Sequence, residues 1–145
     1  DGWIHAPYPI STNRYWRRSG HHIYLPQEAR DYKKSLALLY LQSGLEKFSS
    51  FVQMDLILLP VMTKKQEKEI SKSGIDVSQC DDPVLYADCR RQDIGNIEKV
   101  LADALNGIAY DDDKQIAVQR KRIGYPVKDG GVLIRVYDCP RKVDW

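Results

Sequence analysis

Residues 97–108 read Ile-Glu-Lys-Val-Leu-Ala-Asp-Ala-Leu-Asn-Gly-Ile, and their spacing decides the fold class. Ile97, Val100, Leu101, Ala104, Leu105 and Ile108 recur at i, i+3, i+4, i+7, i+8 and i+11, the stripe of a helix with one buried face. Asn106-Gly107 supplies a C-terminal stop. Downstream, residues 115–123 and 132–138 alternate as strands, with turn chemistry at 128–131 between them as in a hairpin. Upstream, residues 51–59 are rich in aliphatic and aromatic side chains and stop at Pro60, which predicts a strand. Residues 27–41 read as a helix with Pro26 at its first turn, and Ala29, Tyr32, Leu36, Leu39 and Tyr40 share one face. Residues 3–6 before Pro7 and Pro9 read as a short strand, and the polar, aromatic and basic segment 11–19 as a loop. Residues 63–74 are strongly charged and fit a short helix, and 61–88 form an irregular middle. The order is strand, helix, strand, irregular middle, helix, two strands. It predicts an α+β fold, one domain over residues 1–145, with helices packed on a mixed β-sheet.

A chain of 145 residues, 43% hydrophobic and 29% charged, is ordinary for a single globular domain with a real core. No stretch approaches the ~20 apolar residues needed to span a bilayer. The longest run, 51–61, is broken by Gln53, Asp55 and Pro60, so no membrane association is expected. No segment reads as a secretory signal, and a cytoplasmic location is expected. The chain begins with Asp1 rather than Met, so its natural start is expected upstream. Cys80, Cys89 and Cys139 are an odd number without CxxC spacing, which favours reduced thiols over a disulfide framework or a zinc site with His5, His21 and His22.

The net charge is only +2, but its distribution is uneven. Basic groups occur at Arg14, Arg17 and Arg18, at Lys64, Lys65, Lys68 and Lys72, at Arg90 and Arg91, and at Arg120, Lys121 and Arg122. Acids concentrate at Asp81–Asp82 and Asp111–Asp113. Asp93 and Asn96 stand just before the amphipathic helix, Lys99 lies in its first turns, and Asp111, Asp112 and Asp113 follow its far end. One helix and a turn permit these groups to meet. Carboxylates sharing a small volume repel unless a cation joins them. A hard divalent ion that keeps water and phosphate oxygens in its remaining positions is the natural solution. Lys99 would then add a fixed positive charge beside the same phosphate. Taken singly, the residues also fit plainer roles: Asp93 or Asn96 as a helix cap, Lys99 and Asp103 as a surface i, i+4 pair, Asp111–Asp113 as a solvated turn.

The whole string favours the chemical role. Residues 92–99 (Gln-Asp-Ile-Gly-Asn-Ile-Glu-Lys), then Asp103-Ala104-Leu105, then Asp112-Asp113-Lys114-Gln115-Ile116 resemble the RusA family of Holliday junction resolvases. That family has Asp-x-Asp-Asn-x-x-Lys leading into a helix with Asp-Ala-Leu, then Asp-Asp-x-Gln-[Val/Ile] opening a strand. The N-terminal run from Pro7 to Arg17 is similar to the family's Pro-rich, Asn-Arg-Tyr opening, and the 126–138 segment with Gly130-Gly131 agrees as well. Only about 61–88 lacks a counterpart and reads as an insertion.

The resemblance implies an endodeoxyribonuclease that resolves four-way DNA junctions by paired symmetric nicks. It further implies Mg²⁺ as cofactor, with Mn²⁺ as a substitute, a homodimer, and a bacterial or phage source. It makes Asp93 and Asp113 metal-binding carboxylates, Lys99 the catalytic lysine, and Asn96 and Asp112 supporting residues. Gly95 occupies the position of another metal-binding aspartate, so impaired cleavage is expected of this chain. Arg14, Arg17, Arg18, Arg90, Arg91 and Lys114 flank the matched motifs and are the candidate DNA contacts. Tyr15 and Trp16 are expected to be exposed, on DNA or at a dimer surface. The alternatives are a non-catalytic branched-DNA-binding protein, a phosphodiesterase for a small substrate, and a docking role for the 97–108 stripe.

Overall fold

The computed structural model describes residues 2–74 and 94–140. Its strands are β1 (Trp3–Ala6), β2 (Arg17–Ser19), β3 (His22–Tyr24), β4 (Val52–Leu59), β5 (Ile116–Ile123) and β6 (Gly131–Asp138). Its helices are α1 (Thr12–Tyr15), α2 (Gln27–Gln42), α3 (Lys64–Ser73) and α4 (Glu98–Ala104), with 3₁₀ turns at Ile94–Asn96 and Asp113–Gln115. The main sheet runs β1-β6-β4-β5. β4 pairs antiparallel with β6 and parallel with β5, and β1 pairs antiparallel with β6. This is the expected α+β domain with a mixed sheet. No described helix is long and apolar enough to cross a membrane.

β4 takes the centre because it is the most apolar strand, buried at almost every position of both faces. On one face Val52, Met54, Leu56 and Leu58 join Ile4, Ala6, Val132, Ile134 and Val136 in one core cluster. Ala29, Tyr32, Leu36 and Tyr40 of α2 and Val100, Leu101 and Ala104 of α4 complete it. The two helical stripes thus lie on the core side as expected, with Leu39 only partly buried. Three buried tyrosines satisfy their hydroxyls on backbone: Tyr32 donates to Pro7 O at 2.8 Å, Tyr40 to Glu46 O at 2.5 Å and Tyr110 to Ala102 O at 2.5 Å.

Three local expectations are corrected. The turn before β6 does not close a hairpin, because β5 and β6 lie on opposite sides of β4. The connection instead crosses the end of β4, with Gly124 N donating to Leu58 O at 2.8 Å and Val127 N to Pro60 O at 3.0 Å. The burial requirement of β4 outweighs the default pairing of sequential strands. Residues 11–19 are not a loop: they hold α1 and then β2, which pairs with β3 in a separate two-stranded ribbon. Such short elements carry no periodicity to read. Finally, α4 ends a turn earlier than its stripe. Gly107, at φ +79°, donates its N–H to Tyr110 O at 2.7 Å, and this bond replaces the last helical turn.

Within the expected insertion, α3 is well specified. Thr63 Oγ1 accepts from Gln66 N at 3.1 Å while Gln66 Oε1 accepts from Thr63 N at 2.9 Å, and Gly74 closes the helix in the left-handed region. Residues 75–88 lie outside the described residues.

Gly130 is fixed by geometry. Its φ is +70°, and a Cβ there would stand 2.6 Å from Tyr8 Cδ2 and 2.9 Å from Val61 Cγ2. Gly130→Ala is therefore expected to destabilise the fold by about 1–3 kcal/mol. The shift in urea midpoint at unchanged m-value measures this; an unshifted midpoint would contradict the crowding.

Candidate active site

The segment 111–116 forms one locked turn at the head of β5. Asp112 caps the 3₁₀ turn, its Oδ1 accepting from Lys114 N at 2.9 Å. Gln115 Oε1 accepts from Asp111 N at 2.8 Å and Asp112 N at 3.1 Å, while its Nε2 donates to Phe48 O at 3.0 Å and Ser50 O at 2.9 Å. One glutamine side chain thus ties the acidic turn to the segment leading into β4. This gives the Gln of the motif a physical job. Asp111 points away to Lys47, 2.7 Å between Oδ1 and Nζ.

The remaining carboxylate, Asp113, lines a groove with Glu98, Lys99, Ala102, Ile116 and Gln119. Lys99 comes from the first turn of α4 and Asp113 from the start of the β5 turn, so the structure brings these two expected residues to one groove. Glu98 Oε2 is held by Lys121 Nζ at 2.5 Å, which fixes one wall. Partial burial, then the hydrogen bond and negative charge of Asp112 and the charge of Asp103, push the Asp113 carboxyl above its usual value. Asp112 moves the other way, chiefly because the Lys114 N–H stabilises its anion.

The 3₁₀ turn Ile94–Asn96 precedes α4 and packs against β5. Thr12 Oγ1 donates to Asn96 O at 2.6 Å, so the N-terminal motif braces this turn. Gly95 sits inside the turn and is exposed. Ordinary residues adopt 3₁₀ backbone angles, so nothing in this conformation demands glycine. Asp93, the other expected metal carboxylate, lies outside the described residues, as do Arg90 and Arg91.

The expected DNA contacts fare unevenly. Arg14 is engaged by Glu28. Arg17 and Arg18 are exposed on the β2–β3 ribbon, and Lys114 is exposed beside Asp113. Tyr15 is corrected: it is fully buried, and its hydroxyl donates to Asp103 Oδ2 at 2.6 Å. Trp16 is half-buried, edge-on to Tyr15 with ring centroids 4.6 Å apart. Asp103 also faces Lys33 Nζ at 3.8 Å, and the plainer alternative of a surface pair with Lys99 does not form among the described ion pairs. Sequence spacing placed Tyr15 in a basic loop and gave no sign that it was core.

Sequence reading also missed a second polar cluster, centred on Asp55 in β4. This side chain is only 6% exposed and is held by Arg120 through two bonds of 3.0 and 3.1 Å, Arg135 at 2.7 Å, Tyr137 at 2.9 Å and Gln53 at 3.0 Å. Burial alone would raise its pKa; Arg120, then Arg135, Gln53 and Tyr137, hold it well below the ordinary carboxylate range. An isolated Asp in an apolar strand was the available signal.

A divalent ion fits the groove to a limited degree. Among the described residues no group of three metal-ligating side chains converges. Asp111 and Asp112 are committed elsewhere and Glu98 is paired with Lys121, so Asp113 is the groove carboxylate without a described ion pair. One or two carboxylates suffice for Mg²⁺ when substrate phosphate and water complete its shell.

The model of a family described as endodeoxyribonuclease RusA matches residues 7–137. The chain belongs to this RusA family. It is similar to the crossover junction endodeoxyribonuclease rusA of Enterobacteria phage HK97, 28% identical over 131 residues that cover 90% of this chain and 88% of that protein.

The opposed shifts of Asp112 and Asp113 yield a test. Asp112→Asn keeps an oxygen for the cap and removes the charge, so Asp113 should release its proton at lower pH than in the parent. The carboxyl ¹³C shift followed through the titration reads this out. A midpoint that stays put would mean that the neighbouring charge has no part in holding the proton.

Proposed function

We propose that this chain is a structure-selective endonuclease for four-way DNA junctions that acts with a divalent ion, and that Gly95 impairs its cleavage. The observation that carries this reading is the shared groove of Lys99, from the start of α4, and Asp113, from the turn at the head of β5. The Ile94–Asn96 turn, which directly follows Asp93 in the sequence, packs against β5.

In this reading Asp93 and Asp113 hold Mg²⁺, or Mn²⁺ in its place. When bound, such an ion activates water and offsets charge on the phosphodiester. The protein's own part is electrostatic and positional. Lys99 sets a positive charge where the non-bridging phosphate oxygens gain negative charge. Asp112 and Gln115 hold the turn that aims Asp113, and Thr12 and Asn96 hold the turn beneath α4. The raised pKa of Asp113 means that protons compete with the ion, so metal affinity should weaken toward acid pH.

Position 95 would project a side chain from the same turn. With glycine there, one carboxylate fewer would be available to hold the cation. A four-way junction is nearly two-fold symmetric, and a homodimer would present two equal grooves for paired nicks. Exposed Arg17, Arg18 and Lys114 are candidate phosphate contacts, with Arg90 and Arg91. Gly95 also favours a second reading, a branched-DNA-binding protein that does not cut.

Restoring Gly95→Asp and assaying a synthetic four-way junction with Mg²⁺ separates the two. The restored form is expected to cut faster by at least about tenfold, and Lys99→Ala in that form should lose about 10²–10³-fold. Equal rates for the parent and Gly95→Asp would sink the impaired-site reading. Absence of cutting by both, with junction binding retained, would favour the binding protein.

A further inference from the structure

The main sheet has a second face, away from the helices. Register sets Trp3, Arg135, Asp55 and Arg120 in one row across all four strands. Arg122 lies two residues further along the same side of β5. Trp3, Asp55, Arg120, Lys121, Arg122 and Arg135 line one open pocket there, three arginines against a single carboxylate, with Lys121 paired to Glu98.

This face is built rather than incidental. The Arg135 guanidinium lies 4.6 Å from the Trp3 ring centroid and 4.8 Å from that of Tyr137, which fixes its plane. Asp55 holds two arginines in place yet leaves Arg120 65% exposed. A guanidinium has five donors; Arg120 gives two to Asp55 and one to Tyr137 at 3.3 Å, which leaves two for a further acceptor.

β5 is an edge strand and separates this pocket from the Lys99–Asp113 groove. Gln119 lines the groove, while Arg120 and Arg122 line the pocket. Lys121 borders the pocket and pairs with Glu98 of the groove wall. A polyanion leaving the groove over the β5 edge therefore meets positive charge on the other side.

We propose that this face, with Arg120, Arg122 and Arg135, is a second DNA-contact surface, taking the phosphate backbone of a duplex arm adjoining the cut site. The proposal rests on the junction-nuclease reading and extends it to a surface outside the groove. An enzyme that cuts at a branch point must fix arms on both sides of the cut, and phosphate contacts set that register. A second copy of the chain suits this face less. Face-to-face packing would bring like cations together and strip water from them.

Arg122 is the residue to test, because it is exposed and does not hold Asp55. Binding to a labelled synthetic four-way junction in EDTA should weaken about tenfold for Arg122→Glu, with a salt dependence shallower by about one unit of slope. Arg122→Lys should bind as the parent does, and Arg122→Gln should fall between them, which covers a failure of the Glu variant to fold. Unchanged affinity and slope in Arg122→Glu and Arg122→Gln would overturn the proposal. So would weakening accompanied by a halved solution mass in light scattering, which would assign the face to a second copy. Should Lys99→Ala in the Gly95→Asp form abolish cutting while Arg122 variants bind normally, only the second surface falls. A parent chain that binds no junction would remove both.

Discussion

β4 must be buried on both sides, and most of the architecture follows from this. Six of its eight residues are apolar and seven are buried, which suits a central strand rather than an edge. β6 and β5 flank it, β1 extends the sheet beyond β6, and β5 is left as the outer strand. That ordering leaves β5, the strand with exposed arginines and the acidic turn at its head, open to solvent along one edge. The two strands last in the chain are thereby separated, although their sequence looks like a hairpin.

The groove depends on fastenings distributed along the chain. Gln115 ties the acidic turn to residues 48 and 50 ahead of β4. Thr12 ties α1 to Asn96, and Tyr15 ties the same short helix to Asp103. α1 therefore bridges both ends of the Ile94–Ala104 unit that carries Lys99. The aromatic-basic opening motif has a structural half, Thr12 and Tyr15, and a solvent-facing half, Arg17 and Arg18. Arg14 belongs to neither, being taken up by Glu28.

The two carboxylate environments illustrate opposite solutions. Asp55 is buried, and its charge is neutralised by two arginines and two further donors, so it stays ionised. Asp113 stands in a half-open groove beside another carboxylate and has no cation fastened to it among the described ion pairs. Its ionised form is disfavoured by desolvation and by the neighbouring Asp112 and Asp103.

Amphipathic spacing identified α2 and α4, and apolar content with proline stops identified β1 and β4, because those patterns are local consequences of which side is buried. Motif spacing also marked Lys99 and Asp113, because a site built around one helix keeps its residues at fixed offsets from it. Strand order, the burial of Tyr15 and the Asp55–Arg120–Arg135 row were decided only in three dimensions. Each depends on contacts between residues 65 to 88 positions apart. Pairing across such distances is selected by the total burial of the sheet, a sum over all strands that no single window of sequence contains.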